Sequence, residues 1–317
     1  MPPPLLPHLP PGAHDHARHH ILSYHFHRPT RLWDVRNATQ RSTGKIELSQ
    51  GNAPVTVEYG NANNPQNLVV TERDGTVYVY DVRKLSPPPS AAAAAAGVSK
   101  SPALYVLPNQ KFLPESTVFS PDGNYLLVDS QGRGGGSLIR VYDWKKGSEA
   151  PSSLSGAVEH EPVGSWASHG PIYAMGFSPN YKYLATGGSD ANVGIWDCSN
   201  PASTLVCTHA VARHTKFIRS VAFSHDSRIL ASSTEEDNVD LADPSNGALI
   251  GSASLSSSLS PGQAQQRAGG KSCGAEEIRF HPKDCYLLAC ARTDSPMGPP
   301  PAPLTLIKLS ISASSSQ

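Results

Sequence analysis

The chain has 317 residues, with 26 Lys and Arg against 26 Asp and Glu, 29 Pro, 26 Gly and a hydrophobic fraction of 38%. Zero formal net charge gives no electrostatic case for nucleic acid or an anionic membrane, and no apolar run approaches the roughly 18 residues of a membrane span. Low hydrophobicity with so much Pro and Gly points to short strands and loops rather than long helices.

Residues 1–30 read as a disordered leader rich in His and Pro. Its start, "MPPPLLPHLPPG", lacks the basic region and continuous apolar run of a secretory signal, so an intracellular protein is expected. His8, His14, His16, His19, His20, His25 and His27 are of the type that binds divalent metals. No Cys, Glu or second motif completes a shell, so no metal or other cofactor is expected. Through Lys45, Arg18, Arg28, Arg31, Arg36 and Arg41 with Tyr24 and Phe26 make a basic, aromatic arm that could meet a phosphate backbone, though a solvated flexible arm explains it better.

From residue 31 the chain repeats itself. "RLWDVRN", "VYVYDVRK", "IRVYDWKKG" and "VGIWDCSN" each read apolar-x-aromatic-Asp, a strand end followed by polar turn residues. The aromatic-Asp pairs are Trp33-Asp34, Tyr80-Asp81, Tyr142-Asp143 and Trp196-Asp197. Ahead of the last two, "VFSPDGNYLLVDS" and "GFSPNYKYLATGGS" carry tight turns between alternating strands. A unit of three or four antiparallel strands recurring about every 45 to 60 residues is a propeller blade of the WD40 class. The expected fold is therefore an all-β WD40 β-propeller over residues 31–310, followed by a disordered tail at 311–317.

Five repeats are expected near Val55–Arg83, Leu113–Lys146, Val163–Ser199, Ser220–Asn246 and Glu276–Lys308. An orphan strand at Arg31–Val35 precedes them, with the front of its own blade missing or replaced. Residues 85–102 and 252–272 read as disordered inserts between repeats, and 295–303 as an interruption of the last hairpin. The five cysteines (Cys198, Cys207, Cys273, Cys285 and Cys290) lack paired spacing and suit free thiols in a reducing compartment.

Chemistry-bearing residues cluster in the third repeat. His169, Thr186, Asp190 and Trp196 have the order in which a turn carboxylate fixes an imidazole, the imidazole reaches a hydroxyl, and the hydroxyl reaches an indole N–H. Blade-like spacing makes this a structural tetrad rather than a catalytic triad. Asp34, Asp81, Asp143 and Asp197 follow as carboxylates that fix the turns after their strands. "WDVR" and "YDVR" place Arg36 and Arg83 just after a strand, where they could offer a rim contact to an acidic adaptor, as in propeller substrate receptors of cullin–RING ubiquitin ligases. No phosphate loop, catalytic carboxylate pair or Cys–His nucleophile motif is present, and no enzyme or small-molecule substrate is expected.

The fourth repeat departs from the pattern. "FSHDSRILASSTEEDNVDLAD" keeps the strand and turn positions, but Leu241-Ala242-Asp243 stands where Trp-Asp is due. This run resembles the penultimate repeat of the THO complex subunit 3 family, which ends in apolar-Asp-apolar-Ala, here Val239-Asp240-Leu241-Ala242. "IRFHPKDCYLLACARTD" and "YKYLATGGSDANVGIWD" are similar to the repeats on either side in that family. The resemblance implies a seven-bladed non-enzymatic scaffold in the nuclear THO/TREX mRNA-export assembly. Its implied partners are other THO/TREX subunits, with mRNA associated indirectly and no membrane involved. A ubiquitin-ligase substrate receptor or other propeller scaffold is the alternative.

Overall fold

The computed structural model describes residues 20–25, 28–34, 44–46, 54–60, 65–85, 103–107, 114–120, 122–131, 137–145, 162, 164–167, 170–198, 207–212, 214–234, 236, 238–254, 274–281, 283–285, 287–292 and 304–308. In several strands, including all those before residue 54, this covers the backbone path and not the side chains. Two compact units divide the chain: residues 1–128 with 140–164, and residues 129–139 with 165–317.

In the first unit, β1 (His20–His25), β2 (Arg28–Asp34) and β3 (Gly44–Ile46) form a three-stranded antiparallel sheet. The expected orphan strand is therefore paired, and part of the stretch read as a disordered leader is the strand that pairs it. An isolated strand leaves a row of unpaired backbone groups. The register His20↔Asp34 through His25↔Arg28 satisfies one edge of β2, and β3 takes the other. The next sheet, in chain order, comprises β4 (Pro54–Tyr59), β5 (Asn67–Glu72), β6 (Val77–Asp81) and β7 (Tyr105–Leu107). A 3-10 turn at Val82–Lys84 closes β6. Residues 86–102 lie outside the described residues, but β6 and β7 are paired neighbours. The first insert thus falls inside a hairpin of one sheet, not between repeats.

A third sheet is formed by β8 (Thr117–Phe119), β9 (Tyr125–Gln131), β10 (Ser137–Asp143) and β11 (Gly164–Ala167), in the order 11-10-9-8. Within the first unit Val69, Val79, Leu107, Phe119, Leu126 and Trp144 belong to one buried apolar cluster. A second gathers Leu68, Val70, Tyr80, Val82 and Leu85.

The second unit holds three sheets in chain order. The first contains β12 (Ile172–Phe177), β13 (Tyr183–Gly188), β14 (Asn192–Asp197) and β15 (Cys207–Ala212). The second contains β16 (Ile218–Phe223), β17 (Leu230–Thr234), β18 (Asn238–Ala242) and β19 (Leu249–Ser254). The third contains β20 (Ala275–Phe280), β21 (Leu287–Arg292) and β22 (Leu304–Lys308). Residues 255–273 and 293–303, which hold most of the other two inserts, lie outside the described residues, as do 309–317. Each sheet's first strand packs beside the next: β12 by β16, and β16 by β20. Second strands β13 and β17 are buried along their whole length, whereas the outer strand β19 alternates between half-buried and exposed. Burial on both faces of the inner strands follows from stacking sheet on sheet.

Two local devices recur. A serine caps each turn between first and second strands: Ser120, Ser178 and Ser224 donate from Oγ to the side chain two residues on, at 2.5, 2.7 and 2.6 Å. Each Oγ also accepts the backbone N–H five residues on, at 2.9 Å in all three. The residue after the turn acceptor takes the left-handed conformation, with φ of 72° at Gly123, 67° at Tyr181 and 63° at Ser227. The second device is a β-bulge near the start of the first strand. Register shifts occur between Pro54 and Thr56, Ile172 and Ala174, Ile218 and Ser220, and Ala275 and Glu277. Bulges of this kind re-aim the extra side chain.

Candidate functional site: the hydrogen-bonded repeat cores

Register gives the repeats a common frame. Leu184 faces Trp196, and two residues inward Thr186 faces Gly194. Leu68 faces Tyr80, Ile21 faces Trp33, and Leu230 faces Ala242 in the same relation. Ala242, rather than Leu241, therefore occupies the tryptophan position of the altered repeat.

In the third repeat the indole Nε1 of Trp196 donates to Thr186 Oγ1 at 2.9 Å, with both residues buried. Asp190 holds its turn by accepting from Asn192 N at 3.2 Å and Asn192 Nδ2 at 3.0 Å. His169 lies outside the described residues, so the structure brings together Thr186 and Trp196 and says nothing of the imidazole. Asp197 ends β14 opposite Tyr183.

The other expected positions divide. Tyr80 is buried and stacks on Tyr78 at 5.9 Å between ring centroids. Asp81 accepts Arg83 N at 3.0 Å, Arg83 Nε at 2.9 Å and Arg83 Nη2 at 2.7 Å. These bonds from Arg83 hold the Asp81 carboxyl below its ordinary value. The Arg83 fork is thus engaged by its own turn, and an external carboxylate would have to displace Asp81. Tyr142 is fully buried, with Asp143 ending its strand. The indole in this repeat is instead Trp144, which donates to Gly123 O at 3.2 Å and meets Phe119 edge-on. Trp33 and Asp34 end β2, with backbone described and side chains not; Arg36 lies outside the described residues.

A side-chain cluster absent from the sequence reading sits in the altered repeat. The Nε2 of His214 lies 2.8 Å from Ser232 Oγ and 3.8 Å from Asp240 Oδ2. By register Ser232 stands where Thr186 does and Asp240 where Gly194 does. Histidine and hydroxyl persist after the indole is lost, and a carboxylate enters from the next position along β18. All three residues are buried, and the Nδ1 of His214 is buried with no hydrogen-bond partner. Burial pushes the His214 imidazole below its ordinary value, against smaller upward pulls from Asp240 and Glu236. His214 was detectable in principle, since "RHTKFI" places a His just before a first strand as "SHGPI" does. Asp240 was not, because its meeting with the ring depends on pairing across the sheet.

His, Ser and Asp together invite comparison with a hydrolytic triad, and the geometry fails it. A triad needs the nucleophile on one ring nitrogen and the orienting carboxylate on the other. Here both face Nε2, and all three side chains are buried. The cluster is a structural one. Among the described residues no group of three His, Cys, Asp or Glu side chains could hold a metal ion. No helix among them is long and apolar enough to cross a membrane.

The turn that follows the missing Trp is intact. Asp243 accepts from Ser245 N at 2.8 Å and Ser245 Oγ at 2.6 Å, and its carbonyl takes Gly247 N at 2.8 Å. The family model for the WD domain, G-beta repeat, matches residues 160–197 and 205–243, so the altered repeat is matched along with its neighbour. These two stretches are WD40 repeats. Two curated relatives align over similar stretches. THO complex subunit 3 of Arabidopsis thaliana is 22% identical over 226 residues, covering 70% of this chain and 57% of that protein. Mitotic checkpoint protein bub-3 of Caenorhabditis elegans is 26% identical over 228 residues, covering 71% and 58%. The chain thus matches under three-fifths of the length of either relative. Among solved structures, a chain of the "Crystal Structure of Mitotic Checkpoint Complex" matches 86% of this chain and 67% of its own length, with a TM-score of 0.59 at 15% identity. That likeness shows the fold, an all-β WD40 propeller.

Proposed function

We propose that this WD40 protein is a non-enzymatic scaffold subunit of a nuclear THO/TREX-type assembly, acting in mRNA export coupled to transcription and mRNP assembly. The observation that carries the reading is the altered repeat. Val239-Asp240-Leu241-Ala242 replaces the Trp-bearing strand end, and its Asp240 takes a buried place beside His214 while the turn at Asp243 is kept. Random loss of the Trp would not be expected to preserve the histidine, the hydroxyl and the turn together. The relative named THO complex subunit 3 supports the same reading at 22% identity. In this role the chain presents loops and sheet edges to other THO/TREX subunits, and reaches mRNA only through them. It takes no small-molecule substrate, and its propeller gains stability from assembly by mass action.

A second reading is favoured by the 26% identity to bub-3, which makes the chain a scaffold in a checkpoint assembly. Affinity purification of the tagged full chain from nuclear extract separates the two. Recovery of the large THO scaffold subunits is the expected result. Recovery of checkpoint components, or of cullin adaptors, without any THO subunit would overturn the proposal.

A further inference from the structure

The turn between β18 and β19 holds a pair of residues whose chemistry the repeat framework does not use. Asn246-Gly247 is the one Asn-Gly pair in the sequence; every other Asn precedes a residue that carries a Cβ. Asn246 is exposed, and Gly247 takes the left-handed conformation with φ of 69°. With no Cβ in the way, the glycine nitrogen can approach the Asn side-chain carbonyl closely. Each reacting group has a partner in the turn. Ala248 N donates to Asn246 Oδ1 at 2.8 Å, which sets a donor on the oxygen that gains negative charge when Cγ is attacked. The Gly247 N–H, on the attacking nitrogen, is held by Asp243 O at 2.8 Å. Asn246 Nδ2, the leaving group, donates to Asp243 Oδ2 at 3.4 Å. Asp243 Oδ1 ties down Ser245 through its N at 2.8 Å and its Oγ at 2.6 Å.

We infer that Asn246 is a site of deamidation in the folded chain and that Asp243 sets its rate. The Gly247 nitrogen attacks Asn246 Cγ as its proton passes to water. The N–Cγ bond forms, the Cγ–Nδ2 bond breaks, and Nδ2 leaves as ammonia, taking a proton back from water. Water then opens the succinimide ring, and no step oxidises or reduces anything. Attack at Cγ gives aspartate; attack at the backbone carbonyl carbon gives isoaspartate, whose main chain runs through Cβ and Cγ. The first step requires the Gly247 N–H to leave Asp243 O, so the turn must open locally before it reacts. Asp243 is therefore a positioning residue: its carboxylate anchors Ser245 and Asn246 and keeps the turn closed. Either product replaces the amide donor with a second carboxylate beside that of Asp243. The modification thus adds a negative charge to the turn that joins β18 to β19, where Asp243 N donates to Ala248 O at 2.8 Å. The inference stands apart from the assembly reading.

The test incubates the full chain in neutral buffer at physiological temperature. Peptide mapping by mass spectrometry follows Asn246 and separates its asparaginyl, aspartyl and isoaspartyl forms. The last two should accumulate at this position, more slowly in the folded chain than in the same chain unfolded in urea. Asp243→Ala should speed conversion in the folded chain about fivefold or more, the factor for losing one ordinary hydrogen bond. The bonds it removes are at an exposed turn, so thermal melting should find the variant folded. Asp243→Asn keeps an acceptor for Ser245, and its own Asn precedes Pro244, whose nitrogen has no proton to lose. That variant should convert Asn246 more slowly than Asp243→Ala does. No conversion at Asn246 in the folded chain, conversion as fast folded as in urea, or a rate unchanged by Asp243→Ala would each overturn the inference. Should Asp243→Ala fail to fold, the folded and urea-unfolded rates of the parent chain decide it.

Discussion

Replacing Thr186 with valine tests whether the hydrogen bond at the heart of the third repeat contributes what its geometry implies. Valine matches threonine in shape, so the change removes one oxygen and leaves the packing in place. Trp196 is 3% exposed, and its Nε1 has Thr186 Oγ1 as acceptor at 2.9 Å. Stranding that buried N–H should cost about 1–3 kcal/mol, where a neutral bond exchanged cleanly with water would cost about 1. Thr186, fully buried, makes a further interaction besides this one, so the single substitution measures more than the pair. A double-mutant cycle with Trp196→Phe isolates it, because losses not shared with the indole cancel between the two legs. Urea unfolding of the full chain followed by circular dichroism gives the four free energies without relying on the indole that is removed. The double variant should be more stable than the summed losses predict by about 1 kcal/mol. Additivity within about 0.3–0.5 kcal/mol would refute the claim that the Thr186–Trp196 bond couples β13 to β14.

Two further outcomes follow from particular contacts. A Cβ on Gly188 would lie 2.0 Å from the backbone oxygen of Pro171, which cannot move aside as a flexible side chain could, whereas at Gly251 nothing lies within 4 Å. Gly188→Ala should therefore lower the urea midpoint by an amount corresponding to about 1–3 kcal/mol or more, and Gly251→Ala should change stability by less than about 0.5; similar values for the two would contradict the close approach at Gly188. The third outcome concerns pH. His214 has a lowered value in the folded state, so the unfolded chain binds the proton more readily. Its contribution is fully present above the ordinary His value of about 6.5 and is lost as pH falls from there towards the lower folded value. Unfolding midpoints measured between neutrality and pH 5 should decline for the parent chain and decline less for His214→Gln. Equal slopes would remove His214 as the cause.

Much of the candidate site was legible because its signals are local. Ser-x-Asp and Ser-x-Asn turns recur in sequence, and the structure gives all three the same pair of hydrogen bonds. Thr186 and Trp196 are ten residues apart on neighbouring strands of one hairpin, so spacing alone was enough to bring them together. His214 and Asp240 were not legible as a pair. They lie on different sides of two strands, and the tight turns between those strands decide which residue faces the ring. The pairing of β1 with β2 was missed because the β1 stretch, "HILSYH", has its apolar residues embedded in histidines and is followed by Pro29.

The sequence by itself determined the repeat unit: alternating strands, serine-capped turns and the aromatic-Asp strand ends, all set by residues within a hairpin's reach of one another. It also marked the fourth repeat as different, since the framework survives around Leu241-Ala242-Asp243. Tertiary structure alone decided which residue stands in the tryptophan's place, because register is a property of two strands and not of one. It decided that the carboxylate of Asp240 meets the retained histidine, that the first insert falls within a hairpin, and that adjacent sheets carry bulges at Tyr173 and Arg219. Each of these depends on pairing or stacking between segments distant in the chain, for which a one-dimensional pattern carries no term.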